Sequence, residues 1–213
     1  MNTDDLVKML AAGGAVPQGR PPEARFAAAV TLAAVGALAL MAGMLGVRAD
    51  LAQAAALPMF WGKLGFGIAV AVFALPLGLR LARPGARVGW PPAGIALVVG
   101  LLWLMAVVTL AQAAPGDREA LVFGRTWLEC PFNIAVLSVP GFVALLKVNA
   151  SLAPTRPALA GAAAGLLSAA VAAAAYTLHC PELDAPFLAV WYVLGMLIPT
   201  AAGALLGPRL LRW

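Results

Sequence analysis

The sequence predicts an all-α integral membrane protein, a bundle of six transmembrane helices with the N-terminus and the C-terminus both cytoplasmic. Composition is the first reason. Of 213 residues, 63% are hydrophobic and only 11% are charged, and the mean hydropathy is +0.94. A soluble domain carries about a quarter of its residues as charges. With so few, a soluble fold could not cover this much apolar surface. The second reason is a series of apolar stretches, each bounded by charge, Pro or Gly. The third is the uneven placement of Lys and Arg between alternate loops.

The stretches run over residues 26–47, 57–81, 91–113, 131–148, 158–178 and 186–206. Each has roughly 18–25 residues, which at about 1.5 Å per residue crosses a hydrocarbon layer of about 30 Å. The first could be taken for a signal peptide, because Ala52-Gln53-Ala54 looks like a cleavage site. Its apolar run exceeds the roughly 7–15 residues of a signal core, and the long segment ahead of it holds Asp4, Asp5 and Glu23, so that reading is rejected. The second stretch has Lys63 near its start, expected to snorkel to the headgroups. In the fourth, Pro131 suits the first helical position. The fifth is very rich in Ala and Gly, with Gly161 and Gly165 in G-x-x-x-G spacing, and the sixth repeats that spacing at Gly203 and Gly207. Small residues let helix backbones approach closely. Packing within the chain is the plainer reading, and a homodimer seam is the alternative. The chain thus divides into a cytoplasmic N-terminal segment, 1–25, and a transmembrane domain, 26–213.

Orientation follows from the basic residues. With the N-terminus inside, the inner side carries Lys8, Arg20, Arg25, Arg80, Arg83, Arg87, Lys147, Arg156, Arg209 and Arg212, ten of the fourteen. The outer side carries Arg48, Lys63, Arg118 and Arg125. Acids divide the other way, with Asp50, Asp117, Glu119, Glu129, Glu182 and Asp184 outside. An odd number of spans would break this alternation. The expected location is a bacterial inner membrane, crossed several times.

The two cysteines are the first candidates for chemistry. Cys130 lies in Trp127-Leu128-Glu129-Cys130-Pro131 and Cys180 in His179-Cys180-Pro181-Glu182. Both are expected at the outer face although fifty positions apart. Each precedes proline, which predicts extended backbone for both. Cys130 is then expected near an N-cap, where the positive helix end favours a thiolate and Glu129 opposes it. Three readings stand side by side: a static disulfide between outer loops, a pair of inert buried thiols, or a pair responsive to redox or a thiophilic metal. His179, Glu129 and Glu182 are the candidate assistants for the third. The identity of any metal is left unknown, and no cofactor is called for.

The N-terminus is the second candidate. Thr3-Asp4-Asp5-Leu6 reads as an N-cap followed by acidic first-turn residues. Leu6, Met9 and Leu10 follow at helical spacing on one face, and Gly13 and Gly14 end the segment. A helix of about 10 residues is marginal alone in water, so its apolar stripe needs a partner. Residues 13–22 then form a flexible tether rich in Gly and Pro.

Other chemistry is missing from the pattern. No span carries a mid-membrane Asp, Glu, His or Arg, which coupled transporters use. There is no nucleotide-binding loop, metalloprotease motif or nucleophile elbow. A binding and signalling protein is therefore expected rather than an enzyme, with no direct contact to nucleic acid. A small permease or exporter and a membrane thiol oxidoreductase are the alternatives; the latter lacks the usual Cys-x-x-Cys.

Taken together, these segments resemble the NrsF-type membrane proteins, negative regulators of sigma-F-like ECF sigma factors. The resemblance rests on Thr3-Asp4-Asp5-Leu6, the Trp127…Cys130-Pro131 segment and Ala153-Pro154-Thr155-Arg156-Pro157. It continues through His179-Cys180-Pro181-Glu182 and Val190-Trp191-Tyr192 to Gly207-Pro208-Arg209-Leu210-Leu211-Arg212-Trp213. It implies a membrane-embedded anti-sigma factor that sequesters an ECF sigma factor at the cytoplasmic face. It further implies release under oxidative or heavy-metal stress through Cys130 and Cys180. The sigma-contacting surface would then be the segment of Thr3, Asp4, Asp5, Leu6, Met9 and Leu10, an assignment that rests on the helix and its tether. The lipid bilayer is the other expected partner.

Overall fold

A computed structural model describes residues 2–12 and 20–212. Among them there is no strand. A short helix α1 (Thr3–Ala12) is followed by α2 (Pro22–Leu45), α3 (Leu51–Ala55), α4 (Pro58–Leu81), α5 (Pro91–Gln112), α6 (Arg118–Phe123), α7 (Glu129–Ala150), α8 (Pro157–Tyr176) and α9 (Ala185–Leu210). Helices α2, α4, α5, α7, α8 and α9 are long and apolar enough to cross a membrane. They coincide with the six predicted stretches to within a few residues at each end.

Proline punctuates the starts. It sits in the first two positions of α2, α4, α5, α8 and α9. There its missing N–H has no helical partner to lose, and its fixed φ suits the first turn. Two of the long helices also contain a single π-helical turn, Met41–Leu45 ending α2 and Leu188–Tyr192 near the start of α9. Such turns insert one extra residue and often accompany functional sites.

Helix α8 is the axle of the bundle, packed against α9, α4, α7 and α2. Its Ala and Gly content is the cause. A Cβ on Gly161 or Gly203 would collide with the other residue's backbone, and one on Gly165 would strike the Pro199 carbonyl. On the opposite side, a Cβ on Gly67 of α4 would sit 2.9 Å from the Ala174 nitrogen. The two G-x-x-x-G motifs therefore face each other within one chain, as intramolecular packing requires. Helix α5 is the outermost of the six, leaning on α4 and the start of α9.

The core falls into two clusters at opposite ends of the bundle. One gathers Phe26, Leu81, Leu145, Ala160 and Leu211. An ion pair between Arg83 and Glu23 ties the turn after α4 to the start of α2 at that same end. The other cluster holds Met41, Phe66, Cys130, Tyr176, Cys180, Phe187 and Tyr192. The expected tether falls largely on residues 13–19, and Trp213 ends the last resemblance segment; both lie outside the described residues.

Replacing Gly203 by Ala should lower the apparent Tm in detergent, because overpacking at a backbone contact costs about 1–3 kcal/mol. Gly100 faces open space. Gly100→Ala should leave Tm unchanged or raise it slightly, by helix propensity of up to about 1 kcal/mol. Equal melts for the two variants would contradict the α8–α9 packing described above.

Candidate functional site: a buried thiol pair under a hydrogen-bonded turn

Cys130 and Cys180 meet. Both are free thiols with no exposed surface. Both belong to the same buried core cluster, and each perturbs the other's thiol. Sequence placed them only at a common face; the bundle brings the first turn of α7 beside the turn after α8.

The local backbone differs from expectation at one cysteine. Cys180 is non-helical, as its following proline predicts. Cys130 is helical instead: α7 starts at Glu129, and the Cys130 N–H donates to the Thr126 carbonyl at 2.9 Å. Pro131 still falls in the first turn, where a missing donor is harmless. The turns over residues 125–128 carry the chain smoothly into α7, so Cys130 belongs to the helix rather than preceding it.

The turn of residues 178–182 collects hydrogen bonds from three other segments. From the segment after α2, the Arg48 N–H donates to the Leu178 carbonyl at 3.1 Å, and the Arg48 guanidinium to the Cys180 carbonyl at 3.2 Å. From α4, Lys63 Nζ donates to the carbonyls of Cys180 at 3.0 Å and Glu182 at 2.7 Å. From the loop before α7, the Arg125 N–H donates to Glu182 Oε1 at 2.8 Å. That last approach depends on Gly124, whose φ is +54°, and a Cβ there would sit 2.7 Å from the Glu182 carboxylate. Only glycine adopts such a backbone without strain.

Lys63 departs from the expected snorkelling. It is 1% exposed, and its ammonium lies 4.8 Å from the centre of the Tyr192 ring. Two carbonyl acceptors and an aromatic face replace the water it has lost, which is how a buried charge is sustained. Arg48 is oriented in turn by a two-pronged pair with Asp50, both contacts at 2.7 Å. That pair raises the Arg48 pKa and lowers that of Asp50, the shared hydrogen bond being the main cause. The Cys180 thiol is held below its ordinary range, first by hydrogen bonding from Cys130 and then by the Lys63 charge, against the opposing effect of burial.

The remaining assistants separate. His179 turns its Nδ1 to the Gly46 carbonyl at 2.8 Å and stacks obliquely near Tyr176. Glu182 contributes backbone to Lys63 and carboxylate to Arg125. Glu129 is exposed. Among the described residues no three His, Cys, Asp or Glu side chains cluster to hold a metal. Asn133, three residues after Cys130 in α7, donates to the Tyr176 hydroxyl at 3.2 Å. Trp127 and Trp191 pack in a tilted pair with ring centres 5.1 Å apart and Phe123 beside them, and the Trp191 indole N–H donates to the Val122 carbonyl. This aromatic group pins the loop before α7 onto α9.

Sequence reasoning missed Lys63, Arg48 and Tyr192. A signal for Lys63 existed: an ionisable residue inside an apolar span is a functional candidate before it is a snorkelling one. At the other end of the chain, Thr3, Asp4, Asp5, Leu6 and Met9 lie on α1, with Asp4 and Asp5 in its first turn and their side chains exposed. The Leu10 side chain lies outside the described residues.

Comparison with known proteins decides the family. The family described as "Negative regulator of sigma F", NrsF, matches residues 10–213. This chain belongs to that family. A protein of Azospira oryzae named "Probable anti-sigma-F factor NrsF" is 53% identical over 213 residues, covering all of both chains. "Anti-sigma-F factor NrsF" of Caulobacter vibrioides is 40% identical over 224 residues, again covering both in full. No solved structure matches. Three of the six segments that carried the resemblance have a physical reason to occur together. Trp127, Cys130, His179, Cys180, Glu182, Trp191 and Tyr192 all converge on this one end of the bundle.

Two outcomes follow from the geometry. Mild oxidation of the purified protein should give an intramolecular Cys130–Cys180 disulfide, seen as a loss of two hydrogens in intact mass and as a linked peptide pair after digestion. Cross-linked dimers as the main product would contradict the pairing. The Arg48–Asp50 pair should stabilise the fold above about pH 4, the unfolded carboxyl value, and lose that effect as pH falls through the lower folded value. Melts of wild type and Asp50→Asn should therefore differ at pH 7 and converge near pH 3; a gap that persists at low pH would assign the effect elsewhere.

Proposed function

We propose that this chain is an anti-sigma factor of the bacterial inner membrane, crossing it six times with both termini cytoplasmic. It sequesters a sigma factor of the ECF type at the cytoplasmic face and releases it when the Cys130–Cys180 pair at the periplasmic face is oxidised or takes up a thiophilic metal. The observation that carries this reading is the meeting of two distant cysteines as an unbonded, buried pair in a chain of a sigma-regulator family. The asymmetry of Lys and Arg supports the orientation.

The exposed apolar positions Leu6 and Met9, behind the acidic first turn of α1, suit capture of a protein partner. The two ends communicate through α2 in this reading. Its last turn leads to Arg48 and Gly46, which hold the cysteine turn, and its first turn follows the segment leading from α1. A change of thiol state that displaces residues 178–182 acts on α2, and signalling then consists of two global arrangements between which the stimulus chooses.

Pull-down of a sigma factor from membranes should succeed with the full chain and fail when residues 1–15 are deleted. Retention of no sigma factor by either protein would end the anti-sigma reading, and equal retention would move the contact away from α1. In cells, the Cys130→Ser, Cys180→Ser double variant should keep the target genes silent while losing their induction by oxidant or metal. Normal induction would reduce the pair to inert thiols.

A further inference from the structure

The Lys63 ammonium has three N–H donors. Two are committed to the carbonyls of Cys180 and Glu182. The Arg48 guanidinium donates to the Cys180 carbonyl as well, so two cations are bound to the backbone of Cys180, while among the described residues no cation hydrogen-bonds Cys130. The two sulfurs are therefore not equivalent. A buried cation is anchored, by the backbone of the very turn that carries Cys180, against one of them.

The other groups facing Cys180 reinforce the asymmetry. Cys130, from α7, offers an S–H. Arg48, from the segment after α2, binds the Cys180 carbonyl and adds positive charge. From α9 comes Tyr192, fully buried, its hydroxyl without a hydrogen-bond partner and its ring 4.8 Å from the Lys63 ammonium. Tyr176 of α8 is engaged by Asn133. Glu182, two residues after Cys180, has its carboxylate turned to the Arg125 N–H.

We propose that Lys63 is the positioning residue that makes Cys180 the attacking thiol of the pair and leaves Cys130 as the resolving thiol. This rests on the thiol-switch reading above and assigns roles within it. With a hydroperoxide as the two-electron oxidant, the Cys180 sulfur attacks the terminal oxygen. An S–O bond forms, the O–O bond breaks, and the hydroxide or alkoxide leaves and takes up a proton. The Cys130 sulfur then attacks the Cys180 sulfur, forming the S–S bond as the S–O bond breaks. The departing hydroxide leaves as water with the Cys130 proton. Two thiols are oxidised and one peroxide is reduced. The order matters because a thiolate, not a thiol, is the nucleophile, and the buried ammonium stabilises negative charge at position 180 in particular.

The test uses the purified full-length protein in detergent, without sigma factor, and hydrogen peroxide as the probe. Dimedone should trap a sulfenic acid on Cys180 in Cys130→Ser, and at least about tenfold less on Cys130 in Cys180→Ser. In wild type the rate of disulfide formation should be nearly flat between pH 6.5 and pH 8.5. Lys63→Met should slow it at least about tenfold at pH 6.5 and restore a rise of about tenfold per pH unit, the behaviour of an ordinary thiol. Lys63→Arg should recover the flat profile, which a purely structural role for the side chain does not require. Equal trapping at both cysteines, or a Lys63→Met profile identical to wild type, overturns the assignment. The cysteine comparison keeps Lys63 in place, so it decides the matter even if Lys63→Met does not fold. Either failure leaves sigma-factor capture, measured separately, untouched.

Discussion

The bundle is arranged around a helix built mostly of alanine and glycine. Helix α8 brings its backbone into direct contact with α9, and Gly67 of α4 meets it from the other side. Dispersion falls off steeply with distance, so close approach of whole backbones yields many contacts at once. The cost is that nothing bulky can intervene along the seam. The gain is placement: with α8 at the centre, the turn that follows it emerges in the middle of one end of the bundle, ringed by α2, α4, α7 and α9.

That placement explains the chemistry of the turn. An irregular stretch of backbone at the buried end of an apolar bundle carries carbonyls that water cannot reach, and these need donors. Arg48 and Lys63 supply them, and in doing so they bring positive charge next to a thiol. The charge is sustained by partners rather than by solvent: Asp50 for the guanidinium, carbonyls and an aromatic face for the ammonium. The hydrogen bonds that close the end of the bundle and the groups that bias Cys180 are the same atoms.

Much of this was legible in the sequence, and the part that was not has a physical cause. The long helices were readable because an apolar run bounded by proline and charge leaves little freedom in where a helix begins and ends. The Gly161/Gly165 and Gly203/Gly207 spacings likewise identified a close seam. The common face of Cys130 and Cys180 followed from alternation alone. Lys63 was misread because its fate depends on carbonyls more than a hundred positions away, which no local pattern reports. Cys130 was expected to be extended because the rule for residues before proline is a bias; inside a first helical turn, a hydrogen bond to Thr126 outweighs it. His179 and Glu129 were grouped with the cysteines by adjacency, yet neighbours in sequence at a helix end point in different directions, and both are occupied or exposed elsewhere.

The glycine seam also constrains the history of the protein. Gly161, Gly165, Gly203 and Gly207 already carry the smallest side chain available, so mutation at these positions can only add volume. Drift there has one direction, and that direction is toward collision. Fine adjustment of how α8 sits against its neighbours must come from residues whose size can change either way, such as Leu167 and Met196, buried on the same two helices. Divergence between relatives is expected to accumulate at those positions, while the seam itself stays fixed as a hinge stays fixed in a door whose panels are replaced.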